Sequence, residues 1–340
     1  MIPGLSRSLA AACLIAACAA LLQACGVAPP APGAPGVAGA VLGRNDRLAL
    51  YVPRPGETTA SVAQAMLGGA DRAWEIEELN GASTVEPGRV IAIPLRPLNP
   101  FGVTADGYQT VPILVYHRVG RAPTRMTISP EGMAAQFEYL KAHGYRVVRL
   151  SELTQFIDGR RRPPARSVVI TFDDGHVSAY QHAYPMLRQY GYPATMFLYG
   201  DFIGAPEALK WPQLAEMAAS GLVEVQAHSR THANLVQRVA GVSDGAYAAR
   251  IDAELRQPRE LIQQHLHTTV SHYAYPYGDA NDLVLDRMAA ARYSLGLTVN
   301  AGGNPFYAYP LALRRTMIYG DQDLAAFRAA LQVFRRIDLR

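Results

Sequence analysis

Beyond residue 110, short apolar runs alternate with segments of helical periodicity, and this rhythm restricts the fold more than any other feature of the 340-residue chain. VPILVY (111–116), RSVVITF (166–172), ATMFLY (194–199) and 222–227 read as strands, the strongest of them apolar on both faces, as in a parallel sheet covered by helices. Shorter strands are predicted at 145–148, 273–275 and 295–299. Helical spacing fills the intervals 130–143, 151–157, 183–190, 211–220, 250–265 and 282–291; in the first, Met133, Phe137 and Leu140 share one side. Repeated βα units predict a barrel-like α/β fold, with an open doubly wound sheet as the alternative. Leu324, Phe327, Leu331 and Phe334 repeat at helical spacing, which predicts a last helix over 321–336.

The first residues read differently. Residues 1–24 carry one charge, Arg7, ahead of an apolar run too short and too Ala-rich to span a bilayer, and they predict a signal peptide. The run ends in LLQAC, which resembles a bacterial lipoprotein box with Cys25 as the acylated residue; IAAC ending at Cys18 fits the same pattern. The expected location is the cell envelope, exported and lipid-anchored on the periplasmic side of a bacterial membrane. All three cysteines lie in this region, so cysteine nucleophiles and disulfides are excluded from the exported body. A net charge of +4 with no Lys/Arg cluster gives no footprint for nucleic acid and leaves a polyanionic envelope face possible. Pro, Gly and Ala dominate the segment that follows and predict a flexible linker over 25–46. A small body spans 47–96, a second linker 97–110, and the large domain 111–338.

The small body reads strand, helix, helix, strand, with Pro55-Gly56 and Pro87-Gly88 as turns and Thr58 or Thr59 as a helix cap. PGET, WEIEELNG and PGRVIAIP resemble a LysM domain along nearly its whole length. That resemblance implies binding of N-acetylglucosamine-containing glycans, with Gly56, Thr58 and Asn80 on the loops facing the sugar. Glu57 stands where an Asp is commoner in the family.

Polar residues of the large domain gather where strands end. Asp173 and Asp174 follow the apolar strand 166–172, and two adjacent carboxylates cannot both face a core without partners. Alternation points them in separate directions, which suits one metal ligand and one proton acceptor. His228 and His232 follow strand 222–227; a helical turn of the backbone would present both imidazoles to one ion. Two imidazoles, a carboxylate and a water make an open site of the kind that activates water.

TFDDG (171–175), HSRTH (228–232) and AYPYG (274–278), in that order, resemble the polysaccharide deacetylase family, also called the NodB homology domain or carbohydrate esterase family 4. The resemblance covers about 111–319 and implies a distorted (β/α) barrel and a divalent cation, often zinc. It implies Asp174, His228 and His232 as ligands, Asp173 as the base, and the N–H of Tyr277 as a donor to the developing oxyanion. Two departures stand out. Ala274 replaces an Arg that orients the base in the family, with Arg314 and Arg315 as possible substitutes. No His follows His272 to serve as general acid, which leaves His117 or His176. With these absences the AYPYG form resembles the branch acting on poly-β-1,6-N-acetylglucosamine.

The expected activity is removal of N-acetyl groups from an N-acetylglucosamine polymer. Peptidoglycan is the first choice, because the LysM-like body would hold the enzyme there. The exopolysaccharide, a non-catalytic wall-binding role and an O-acetyl esterase are the alternatives. G-x-S-x-G at 241–245 lacks a preceding buried strand and reads as a loop rather than a serine-hydrolase elbow.

Overall fold

The computed structural model describes residues 37–338. The signal peptide, both lipobox cysteines and residues 25–36 of the first linker lie outside the described residues. The chain divides into two compact units at Arg96/Pro97. No described helix is long and apolar enough to cross a membrane.

In the first unit β1 (Val41–Arg44), β2 (Leu48–Tyr51) and β3 (Ile91–Pro94) form an antiparallel sheet in the order β1-β2-β3. Helices Thr59–Leu67 and Ala73–Asn80 lie between β2 and β3 in sequence. Alternation along β2 and β3 turns Ala49, Tyr51, Ile91 and Ile93 inward against Val62, Ala63 and Ile76. β1 falls inside the segment expected to be a linker; it pairs with β2, an interaction that its own composition does not signal. Thr58 caps the first helix through Ser61 N–H. The Asn80 side chain is spent on Ile76 and Ala92 backbone groups. Two of the three residues that the LysM resemblance aims at sugar are therefore held by backbone duties.

The second unit is a curled, half-barrel α/β sheet. Its central path runs β14 (Leu295–Leu297), β13 (His272–Ala274), β12 (Val223–Ala227), β11 (Ala194–Leu198), β10 (Ser167–Phe172), β6 (Val111–Tyr116) and β15 (Gly303–Asn304). Neighbours from β14 to β6 are parallel, which requires the helical crossovers between them. β9 (Arg146–Val147) adds to β10 and β16 (Thr316–Met317) to β6. The sheet curls toward closure because one segment touches both sides: Leu313 bridges Leu297, and Thr316 and Met317 pair with Leu114 and Val115. The barrel expectation thus holds in its coarser form, a curled sheet. Every residue of β6 and β10 is buried, and β-branched side chains such as Ile113, Val115, Val169 and Ile170 pack well on the pleated surface.

Three expectations need correction. The segment expected to be a linker at 97–110 belongs to the large unit and carries β4 (Val103–Thr104) and β5 (Gly107–Gln109). The last helix stops at Ala330 (Leu324–Ala330), and β17 (Phe334–Arg336) follows, paired with β5. Phe334 completes a helical spacing in the sequence, yet long-range strand pairing takes it. The helix expected at 250–265 begins earlier, as Asp244–Leu266, because Ser243 of the G-x-S-x-G stretch caps it through Ala246 N–H. β7 (Arg118–Val119) and β8 (Thr127–Ile128) make a small parallel pair just beyond β6.

Candidate active site and metal centre

The C-terminal ends of β6, β10, β12 and β13 converge on one cavity of about 500 Å³, lined by His117, Asp173, Asp174, His228, His232 and Tyr277 among others. All six residues expected at the site are brought together there. Parallel strands present their C-terminal ends and following loops on one side, which is where such sheets carry ligands.

Asp173 extends β10 by one rung, its N–H bonded to Tyr116 O at 3.0 Å. Asp174 then takes φ 72°, and Gly175 N–H returns to Asp173 O at 2.9 Å. This is a three-residue turn of the rare, strained hand, and it swings the second carboxylate away from the first. Asp173 is 2% exposed and meets Arg315, itself 0% exposed, in a two-pronged pair of 2.7 and 2.8 Å. Arg315 also donates to Thr298 O at 2.9 Å and lies over the Phe197 ring. Burial alone would raise the Asp173 carboxyl; Arg315 and His228 outweigh it and hold the group below the usual range.

Arg315 therefore fills the place left by Ala274, while Arg314 points elsewhere and bonds Ala301 O. The two neighbours cannot be told apart from local sequence. Ala274 still contributes: its carbonyl accepts from His228 Nδ1 at 2.8 Å, which leaves His228 Nε2 facing the carboxylates.

The 228–232 loop is not the expected helical turn. Ser229 and His232 have φ of 77° and 60°, and Glu254 of the long helix takes hydrogen bonds from Arg230 N–H, Thr231 N–H and the Thr231 hydroxyl. His232 N–H is bonded to Ser229 Oγ at 2.8 Å. That stapling, not helical periodicity, brings the two rings within 5.0 Å of each other. Glu254 was invisible to motif reading, since it lies on an amphipathic helix far along the chain.

Asp174 Oδ1 lies 3.5 Å from His228 Nε2 and 3.2 Å from His232 Nε2, yet it is buried without a hydrogen-bond partner. Ligand atoms of the three residues all fall within 4.8 Å of one another. A buried, anionic oxygen facing two imidazole nitrogens fits a divalent cation, and one carboxylate with two imidazoles leaves a position open for water. Burial alone would raise Asp174 too; His176, His228 and His232 drive it far below the usual range. His176 reaches the other oxygen, Oδ2, at 3.3 Å, and its Nδ1 faces Arg118 Nε at 3.5 Å. It is thus engaged with Asp174 rather than with the cavity.

His117 lines the cavity beside both aspartates, and burial lowers its pKa. Tyr277 has φ 63° and is 61% exposed, with its ring 4.9 Å from that of His232. Arg125, Met126, Met317 and Tyr319 also line the wall, beside Tyr275 and Val299, unforeseen from sequence. Arg125 lies over the Tyr319 ring at 4.6 Å.

A buried carboxylate–imidazole set beside a second, Arg-held carboxylate, at the open end of a curled α/β sheet, defines a metal-dependent hydrolase. A family model described as "Polysaccharide deacetylase" matches residues 160–296. YxkH of Bacillus subtilis (strain 168), named for a polysaccharide deacetylase, is 27% identical over 222 residues, covering 65% of this chain and 76% of that protein. The poly-beta-1,6-N-acetyl-D-glucosamine N-deacetylase of Staphylococcus aureus (strain MRSA252) is 28% identical over 191 residues, covering 53% of this chain and 66% of that protein. The solved structure of IcaB from Ammonifex degensii matches with TM-score 0.59 and 26% identity, over 68% of this chain and 100% of that one. The chain carries a polysaccharide deacetylase domain of the NodB, carbohydrate esterase family 4 type, an enzyme acting on acetamido rather than peptide C–N bonds.

Proposed function

We propose that this protein removes N-acetyl groups from poly-β-1,6-N-acetylglucosamine. The observation that carries this reading is Arg315 on Asp173. With Ala274 in the third motif and no late histidine, the site has the departures that the AYPYG resemblance associates with exopolysaccharide deacetylases. The name of the Staphylococcus aureus relative supports the same substrate. The test is acetate release by the purified protein from poly-β-1,6-N-acetylglucosamine and from peptidoglycan, side by side. Preference for the first is expected; turnover of peptidoglycan alone overturns the reading. Peptidoglycan remains a second reading on one observation, the LysM-like motifs PGET, WEIEELNG and PGRVIAIP of residues 47–96.

Asp174, His228 and His232 would hold the divalent cation, zinc by donor type. When bound, the cation supplies Lewis acidity toward water and the acetamide oxygen. Asp173, held ionised by Arg315, takes the proton from the attacking water. Tyr277 lines the cavity with a left-handed backbone, and its N–H would serve as donor to the tetrahedral oxygen, the role that the AYPYG resemblance implies. His117, the remaining imidazole on the wall, hands a proton to the departing amine. Because burial disfavours its charged form, proton donation from His117 weakens as pH rises through a value below the ordinary one.

Export with lipidation at Cys25 belongs to the same proposal, on the LLQAC junction. The intact mass of the membrane-associated protein should show an acylated N-terminus at Cys25, and an unmodified chain starting elsewhere rules it out.

A further inference from the structure

A second cavity of about 580 Å³ lies in the large unit, apart from the catalytic one, within the ~300–1,000 Å³ range of small-ligand sites. β15 pairs Gly303 with Pro112 and Asn304 with Val111, so this groove sits at the N-terminal end of β6. The catalytic His117 follows the opposite end, roughly 17 Å away at ~3.3 Å per residue.

The floor is fixed by hydrogen bonds. Asn304 donates to Val111 O and Arg314 O and accepts from Arg314 N–H. Thr110 Oγ1 donates to Gln332 O at 2.5 Å, and the Tyr108 and Tyr307 hydroxyls meet at 2.5 Å. A Cβ on Gly303 would lie 2.5 Å from both Gln332 O and Thr110 Oγ1, so the close approach requires glycine there.

The rim is open and of two chemical kinds. Tyr307 and Tyr309 are 58% and 56% exposed, and Phe334 is exposed beside them. Arg314, Arg335 and Arg336 stand among these rings, all exposed. No Asp or Glu lines the groove among the described residues. Asp106 lies in the adjoining recess with Phe334 and Arg336, where its carboxylate accepts from the Thr104 hydroxyl.

We propose that this groove is a second carbohydrate site, taking a glycan segment that bears carboxylate or phosphate groups. Exposed tyrosines offer flat apolar faces with polar edges, which suit sugar rings in a groove too open for a core. Guanidinium groups carry five donors and no acceptor, in a fork that matches carboxylate and phosphate oxygens. A neutral sugar would bring the guanidinium groups no anionic partner of its own, and a glucosamine-rich product would meet repulsion. The preformed floor lowers the ordering cost of binding. The site extends the protein's reach to an acidic envelope polymer and does not rest on the choice of deacetylation substrate.

The test is calorimetric titration of the exported chain with four probes at low and high salt. They are a hyaluronan octasaccharide (uronate), a short polyglycerol phosphate, a neutral N-acetylglucosamine oligomer and polyglutamate. Each is measured on the wild type, on Arg335→Gln/Arg336→Gln and on Tyr307→Ala/Tyr309→Ala; differences between proteins cancel any binding by the small unit. One or both anionic glycans should bind, weaken with salt, and lose about tenfold or more in each double variant. The tighter of the two names the anion. Acetate release from a short soluble N-acetylglucosamine oligomer should stay within about twofold in both variants, which shows that they fold. Equal Kd in wild type and variants overturns the proposal. So does polyglutamate binding as tightly as the glycans, or retention of affinity by the tyrosine variant, since either reduces the groove to bare electrostatics.

Discussion

Arg315→Met tests the catalytic reading most directly. The substitution keeps most of the side-chain volume against Phe197 but leaves the 2%-exposed Asp173 carboxylate without its two-pronged partner. Removing one member of a buried ion pair costs ~3–5 kcal/mol, so at a few degrees per kcal/mol the melting temperature should fall on the order of 10 °C. The wild-type carboxyl is depressed below its unfolded value, so its stabilisation is present above that value and is lost as pH falls through the folded one. With Arg315 gone, burial pushes the carboxyl upward against only the weaker pull of His228 and His117. The deficit should therefore be largest at neutral pH and shrink on acidification, as protonation relieves the buried charge. The acid limb of kcat/KM should move to higher pH in the same variant, because the base is lost sooner. Urea unfolding at pH 7 and pH 5 reads the first effect; a pH–rate profile reads the second. Asp173→Asn and the double variant complete a cycle. Additivity within ~0.5 kcal/mol, together with an unmoved acid limb, would refute the claim that Arg315 holds the base.

Asp173→Asn should retain bound metal while losing on the order of 100-fold or more in acetate release, whereas Asp174→Asn should lose metal as well; elemental analysis beside the rate assay separates them. A chelator should abolish acetate release from the wild type, and added Zn2+ should restore it; undiminished turnover by metal-free protein would contradict the assigned cation set. His117→Asn should lower kcat more than KM changes and remove any high-pH decline due to proton donation, which a full pH profile of both proteins detects. Deleting residues 41–94 should weaken retention on insoluble glycan while a soluble oligomer is turned over nearly unchanged; pull-down and acetate release are the two readouts.

What could be read from the sequence was what depends on local order. β6, β10 and β11 announce themselves as largely apolar runs because both faces of these strands are buried. The Asp pair and the two histidines were legible because strand ends put polar residues where a core cannot hold them. β17 was not, since it owes its conformation to β5, more than two hundred positions earlier. Nor was the choice between Arg314 and Arg315: they are adjacent and alike, and only the chain's passage from Leu313 beside β14 to Thr316 beside β6 sends one inward. The two histidines come together for a different reason from the one their spacing suggests. Glu254, not a helical turn, shapes that loop.

The pairing of β17 with β5 has a consequence for how this catalytic unit can be moved between proteins. Gly107 and Arg336 are register partners, so a point ten residues into the unit lies beside a point in its last strand. Segments that pair in this way can be joined, and new ends opened elsewhere: the exposed turn at 239–242, before the Ser243 cap, is a suitable place. A circular permutant cut there would keep β6, β10, β12 and β13 in their present order around the sheet. The same geometry lets the whole unit be inserted into a loop of a host domain, entering and leaving through a single gap, without parting the strands that carry its aspartates and histidines.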